Sequence, residues 1–580
     1  MVKRLAKWVA ETWHEEAFRL AVLILDRSQL DLYIEELVAL RHPKTQPGTR
    51  GPGRPRRRTY TIRAMLAAEI MCLADGRQLT LANMLHVIWH LTPDQLANVG
   101  MVDQIQDSER ALMSVPGFRS NEYERLQHQY DLMFAPIDTS PHRRMMREPN
   151  RVRTRRLATL TKERRAELDQ RETNLTQVHT LIIKAGCEGA RPEFYRGHAQ
   201  LDETWFDSWA RIEGTGTRQD KLGGADPEAA WRHDKKHEYS KYVHMFVFTQ
   251  MATMPYERRV PNVVTGMRAR PAKKESDVQA AVAAVRMHIA NGFGPTPGRP
   301  GRIYTDRGYS EKLLFAAAML DVGYQVVSSN EQPAPSKGFI RPEGPLLIGA
   351  KFACPAAIKL LKHRNLEPID PDNATPAQLR ERQDIIDAIR PFIMPTNGKP
   401  RLLPATSKHP ARAVISLVCP ASARQCDCPI VNELEDPTAR LPYAYDAPDK
   451  EDVEHLPRTC QSTYSSVTVP VTFLKNLDQM LHGSFEHADH MMNIRSANER
   501  PHGYMKRRDM GSFSRDSIVM MGRARVSVAV AIVVALLSIG ELEAINAKPG
   551  NSVHNLPHTP RLAAARQRNQ QIADERHRNP

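Results

Sequence analysis

The sequence predicts a mixed α/β protein, with a helical region ahead of its sheet and an insertion within it. Between residues 198 and 329, strand-like runs give way to a strand–helix–strand alternation, the pattern of a mixed sheet flanked by helices. Residues 1–40 and 60–98 repeat apolar side chains at helical spacing. Residues 330–480 are rich in proline and broken into short pieces, so they interrupt the α/β pattern instead of extending it.

The chain has 580 residues, room for roughly three or four domains. With 41% hydrophobic and 25% charged residues it is neither fibrous nor wholly disordered. Lys and Arg number 81 against 66 Asp and Glu, a net charge of +15, which points to a polyanionic partner: nucleic acid or an anionic membrane. The longest apolar run, Val526 to Ile539 (VSVAVAIVVALLSI), has 14 residues and ends at Gly540. A bilayer-spanning helix takes about 20, so the run reads as a buried core segment and no membrane partner is expected. The first 20 residues are charged throughout, without an apolar core or cleavage site of a secretion signal. Seven cysteines, unevenly spread, do not make a disulfide scaffold. A cytoplasmic location is expected.

In order along the chain, Leu20, Leu23, Ile24, Leu30 and Ile34 mark one buried stripe. Prolines and glycines then break the chain from His42 to Arg58, where Gly53-Arg54-Pro55, followed by Arg56, Arg57 and Arg58, resembles the core of an AT-hook lying in a narrow minor groove. A solvated basic linker is the plainer reading. Residues 60–98 form a helix-turn-helix-sized unit with a break at Asp75-Gly76. A second basic stretch (Arg143, Arg144, Arg147, Arg151, Arg153, Arg155, Arg156) leads into a charged helix. Strands are expected at residues 198–206, 242–248, 302–306 and 324–328, with helices at 275–291 and 311–320. The resulting division is a helical N-terminal DNA-binding region (1–135, basic arm near 50–63), a basic helical linker (136–197), a sheet domain (198–329 and 484–547), an insertion (330–483) and a flexible basic tail (548–580).

An acid at the end of an apolar strand lies at the sheet edge where ligands of α/β sheets bind. Asp202 (AQLDET) and Asp306 (IYTDRGYS) fit that description. Taken alone they also read as a structural pair, with Asp306 as a helix N-cap. In MMNIRSANERPHGYMK, Arg495, Glu499 and Lys506 fall four and seven residues apart, nearly on one helical face if Pro501 is accommodated as a kink.

The R-x3-E-x6-K spacing resembles the Y-x2-R-x3-E-x6-K signature of DDE transposases of the bacterial insertion-sequence type. The resemblance covers residues 198–545 and departs from the signature at the tyrosine, which is Met492 here; His502 and Tyr504 lie nearby. It implies a ribonuclease H-like sheet in which Asp202, Asp306 and Glu499 hold two Mg²⁺ or Mn²⁺ ions for phosphodiester cleavage and strand transfer. It further implies DNA contacts from Arg495 and Lys506, double-stranded DNA as element end and target, a homodimer on that DNA, and residence with the nucleoid of a prokaryote. Two other functions follow from the same resemblance: an inactive DNA-binding descendant of such an enzyme, and a nuclease that cuts without joining. Glu203, Asp207 and Glu486 compete for the acidic roles, and Trp205 and Phe206 read as core residues or as base-stacking platforms.

Cys419, Cys426 and Cys428, with Cys460, are a candidate closed Zn²⁺ site that would staple the insertion, although C-x6-C-x-C is not a common zinc-ribbon spacing. Unligated thiols are the alternative. Cys72 and Cys187 read as packing residues. No phosphate-binding loop or dinucleotide fingerprint is present, so no nucleotide cofactor is expected.

Overall fold

The computed structural model describes residues 15–41, 59–210, 224–328, 346–354, 369–428, 466–470, 480–491 and 517–579, apart from residues 103, 143–145, 235–238, 272–274, 311, 313, 349–350, 371, 405, 408–411, 482 and 559–560. Among the described residues, nine α-helices precede the first strand: α1 (Glu15–Ser28), α2 (Leu30–Arg41), α3 (Ile62–Ala74), α4 (Leu81–His90), α5 (Pro93–Asn98), α6 (Asp107–Arg110), α7 (Pro116–Phe134), α8 (Asn150–Ala158) and α9 (Lys162–Gly186). The sheet follows as β1 (Ala199–Asp207), β2 (Ala230–Asp234), β3 (Tyr239–Met251), β4 (Val264–Arg270), α10 (Asp277–His288), β5 (Gly301–Thr305), α11 (Arg307–Ser310), α12 (Phe315–Asp321) and β6 (Tyr324–Ser328).

These strands form one mixed six-stranded sheet of order β2-β3-β1-β5-β6, with β4 also paired to β3. The long β3 is antiparallel to β1 on one edge and shares its other edge between β2 and β4. β1, β5 and β6 run parallel. Parallel neighbours need crossovers; α10 connects β4 to β5, and α11 with α12 connects β5 to β6.

Because side chains alternate across a strand, the two sheet faces have different covers. Phe206, Phe246, Phe248, Met267 and Ala269 join a core built from α1, α3, α4, α7, α9 and the long apolar helix α14 (Arg523–Asn546). Ala199, Leu201, Val247 and Ile303 pack on the opposite side against α10 and α12. The Val526–Ile539 run is buried as expected, but its helix continues through Gly540 to 24 residues. Among the described residues, α14 is the one helix long and apolar enough by composition to cross a membrane. Here its surface is covered by α9, α3 and β4. At the crossing with α9, a Cβ on Gly186 would sit 2.5 Å from the Ala535 Cα, so glycine permits the close approach.

A buried ionic cluster ties the N-terminus of α14 to the sheet. Arg523 is 2% exposed; it pairs with Glu172 of α9, lies 3.6 Å from Glu228 and donates to the Ala269 carbonyl at 2.9 Å. A cation at a helix N-terminus opposes the helix dipole, and the two glutamates offset it.

Several expectations need correction. The helix pair at 60–98 forms, but every residue from Ala64 to Leu73 is buried, Glu69 included, as are Met84 to Trp89. A helix apolar all round belongs in a core, so α3 offers no polar face to a DNA groove, while α4 leaves Ala82 and His90 exposed at its two ends; the N-terminal helices share one core with the sheet. The helix expected from Glu311 begins at Phe315, after Leu314 adopts left-handed backbone (φ 66°). Strands β2 (AWRHD) and β4 (VTGMRAR) were not foreseen, because their charged residues and glycine hide the alternation.

The insertion contains a hairpin, β7 (Leu346–Ile348) and β8 (Lys351–Ala353), the helix α13 (Pro376–Ile389), and an antiparallel sheet of β9 (Thr396–Leu403), β10 (Arg412–Val418) and β11 (Ser466–Pro470). Its Phe352, Met394, Ile415, Leu417 and Val469 extend the core of the α10 face. The tail expected to be flexible contains a helix, α15 (Arg561–Arg578), packed on α13. Its Ile572 joins Leu379, Ile386 and Phe485 in a small core. Arg576 also reaches Asp384 at 2.6 Å across the same contact.

Candidate active site

The ladder between β1 and β5 pairs Ala199 with Ile303, Gln200 with Tyr304 and Leu201 with Thr305. One step further are Asp202 and Asp306, 104 positions apart in sequence, at the point where the β1–β5 ladder ends; Asp306 follows the last residue of β5, but Asp202, expected at a strand end, lies inside β1, which runs on to Asp207 because it stays paired with β3. Adjacent strands lie about 4.8 Å apart, so the two carboxylates address the same space. Asp306 is exposed and Asp202 half-buried. The Asp202 carboxylate accepts the Glu203 backbone N–H at 2.8 Å, and that of Asp306 accepts the Tyr309 N–H at 3.3 Å, the N-cap contact anticipated for it. A Cβ on Gly308 would lie 3.3 and 3.4 Å from the two Asp306 carboxylate oxygens, so the glycine leaves open the space around them.

The neighbouring acids are occupied otherwise. Glu203 pairs with Val247 across the ladder and faces the α10 side, where Arg270 stands 3.8 Å away. Arg270 also binds Asp277, as does Lys312 at 2.6 Å. Burial pushes the Asp277 carboxyl up, but these two cations outweigh it and hold the group below its usual range. Glu486 lies 3.9 Å from Arg390 and lines a cleft between α13 and α15. Phe206 is core, and Trp205 is half-buried.

Tyr309, three residues after Asp306, was not singled out from the sequence. Its ring is buried, and burial together with Glu203, Asp306, Asp202 and Asp277 pushes the phenol well above its usual range. Its hydroxyl is buried with no hydrogen-bond partner among the described residues.

On the other side of β5, a helical segment at residues 485–491 docks onto the sheet. The His490 Nδ1 and the Tyr304 hydroxyl are 2.7 Å apart with their rings stacked, and the His487 Nε2 meets the Ser328 carbonyl at 3.1 Å. Burial, reinforced by Arg302, lowers the His490 pKa to about 3, so the ring is neutral. Asp489 takes a two-pronged contact from Arg568 of α15 at 3.2 and 2.7 Å, and the Tyr256 hydroxyl donates to it as well. No fixed spacing in the sequence marks these contacts, which join residues up to 233 positions apart.

Glu499, Arg495 and Lys506, together with Met492, Pro501, His502 and Tyr504, lie outside the described residues, as do Arg54, Arg56, Arg57, Arg58 and Cys460. In the second basic stretch, Arg156 forks onto Glu148 at 2.5 and 2.6 Å and Arg153 donates to the Gly224 carbonyl, while Arg147, Arg151 and Arg155 are exposed. Cys419, Cys426 and Cys428 are buried around the turn after β10, where burial and the two neighbouring thiols push Cys426 up to about 12. Cys72 and Cys187 are buried in the helical core and its margin. Among the described residues, no three His, Cys, Asp or Glu side chains are grouped to hold a metal ion. No protein-family model, curated protein or solved structure matches the chain.

Proposed function

We propose that the chain is a metal-dependent DNA transposase whose sheet is a ribonuclease H-like catalytic domain. The register that ends the β1–β5 ladder at Leu201 and Thr305, one residue before Asp202 and Asp306, carries the reading. The run β4-β3-β1-β5-β6 accords with it: with the short edge strand β2 set aside, Asp306 follows the fourth strand, the place expected for the second acid of this fold.

Carboxylate oxygens suit hard Mg²⁺ or Mn²⁺, and the space that Gly308 leaves over Asp306 fits a cation there. Asp202, Asp306 and, by its motif, Glu499 would hold the ions, which when bound make a water or 3′-hydroxyl nucleophilic and stabilise the leaving oxygen. The chain's own groups prepare that site. The Glu203 N–H fixes the Asp202 carboxylate, and Arg270 and Lys312 engage Glu203 and Asp277 on the opposite face. With α3 and α4 buried, phosphate contacts from the N-terminal half fall to exposed arginines such as Arg151 and Arg155 and to the arm at Arg54–Arg58.

The test is Mg²⁺-dependent cleavage of a duplex carrying the DNA that flanks the gene, comparing wild type with Asp202→Asn, Asp306→Asn and Glu499→Gln. All three variants are expected to bind the duplex and fail to cut it. Wild-type cleavage by all three would sink the assignment, and a strand-transfer assay separates joining from simple hydrolysis.

A further inference from the structure

We propose that the cleft between α13 and α15 binds a phosphate monoester carried on a ring, such as a mononucleotide or the 5′-phosphorylated end of a DNA strand. The proposal does not depend on the transposase reading. The cleft has a volume of about 270 Å³ and is lined by three arginines: Arg390, one residue beyond α13, and Arg566 and Arg568 on α15. Pockets for drug-sized ligands run from roughly 300 to 1,000 Å³. This one therefore has room for a single phosphate and its ring, and not for a dinucleotide or a length of duplex.

The inner wall is built before any ligand arrives. Asp489 is 0% exposed and Arg568 7%. Asp489 accepts from the Arg568 guanidinium at 3.2 and 2.7 Å and from the Tyr256 hydroxyl. The same guanidinium lies 4.8 Å over the Phe485 ring, and Tyr256 and Phe485 both line the cleft. The Arg568 Nε, also buried, has no hydrogen-bond partner among the described residues. A wall held in this way loses little freedom when a ligand binds. The outer wall carries the spare charge. Among the described residues Arg390 meets one acid, Glu486, at 3.9 Å, and both side chains are exposed. Such a pair contributes little stability, so Arg390 is free to turn to a ligand. Arg566 is exposed and has no ion-pair partner among the described residues. Asp489 thus offsets Arg568 and Glu486 offsets Arg390, which leaves the positive charge of Arg566 unmatched in a concave site. A guanidinium meets phosphate oxygens in a two-pronged contact, and Gln383 and Asn569, which also line the cleft, supply amides for the polar edge of a ring.

The experiment titrates the full chain with adenosine 5′-monophosphate by calorimetry, with adenosine and inorganic phosphate as separate probes. The monophosphate should bind, inorganic phosphate should compete with it, and adenosine should bind at least about tenfold more weakly. Arg390→Gln and Arg566→Gln change exposed side chains, so both variants should fold, and each should weaken binding about tenfold. Glu486→Gln removes the competing carboxylate and should tighten it. A single-stranded oligonucleotide with a 5′-phosphate or a 5′-hydroxyl separates the two sources. A gain from the 5′-phosphate that Arg566→Gln abolishes assigns the site to strand ends; the variant pattern with the monophosphate alone assigns it to free nucleotides. Absence of binding by both the monophosphate and the phosphorylated end overturns the proposal. So does binding that neither arginine variant weakens, or that Glu486→Gln fails to tighten.

Discussion

Two groups of carboxylates in this chain are treated in opposite ways. Glu172 and Glu228, beneath the first turn of α14, are met by Arg523, and Glu172 by Arg268 as well. Asp202 and Asp306 stand where the β1–β5 ladder ends, backbone N–H groups orient them, and the nearby cations Arg270 and Lys312 bind Glu203 and Asp277 instead. On the proposed reading the difference separates acids that hold the fold together from acids oriented for a ligand. Burial raises the cost of charge, so the first group requires cations brought from distant parts of the chain. On the proposed reading the second group receives an incoming cation, while Arg270 and Lys312 are directed to Glu203 and Asp277.

The largest effect expected from breaking this contrast is on chemistry. Asp306→Asn should slow Mg²⁺-dependent cleavage by about 10³-fold while leaving thermal stability almost unchanged, since asparagine caps a helix as well as aspartate. A large loss of stability would move Asp306 into the structural group. Arg523→Met should do the reverse, destabilising the chain by about 3–5 kcal/mol in urea titrations. A loss below about 1 kcal/mol would show that Glu172 and Glu228 do not depend on it.

Acidification sharpens the comparison, because the Arg523 cluster adjoins the fully buried His179, whose Nε2 meets the Ser527 hydroxyl at 2.9 Å. Burial lowers the His179 pKa to about 3, and the nearby Arg523 and Arg268 add to the shift; His86 and His288 are likewise lowered to about 3 by burial. The unfolded chain binds protons that these folded rings refuse. Their stabilisation is complete above the ordinary histidine pKa near 6.5 and is lost as pH falls towards 3, at up to about 1.4 kcal/mol per pH unit for each ring. Urea midpoints should therefore drop from pH 7 to pH 5, and His179→Gln should flatten the slope. An unchanged slope would remove His179 from this account. The smallest effect is expected from Glu203→Gln, which breaks a half-buried contact of 3.8 Å: less than about 1 kcal/mol in stability, with cleavage retained. Loss of cleavage there would transfer the catalytic role from Asp202 to its neighbour.

Much of this contrast is hidden from a linear reading. β1, β5 and β6 are legible because short apolar runs broken by turn residues leave a local mark, and the burial of α14 follows from composition alone. The fate of α3 and α4 is less legible, because a helical pair of the right size reads the same whether it faces a DNA groove or other helices. α15 was misread for the opposite reason: its charges suggest a solvated tail, and the acid that receives Arg568 is 79 residues away.

By itself, the sequence determined that Asp306 ends an apolar strand and that the run at Val526–Ile539 must be covered, since apolar spacing is written into neighbouring residues; it did not show that β1 runs on past Asp202 to Asp207. The tertiary structure alone decided that the two aspartates are neighbours and that the last helix reaches back to Asp489. Strand register and buried ion pairs depend on how crossover helices pack, and that packing joins residues with no periodic relation along the chain.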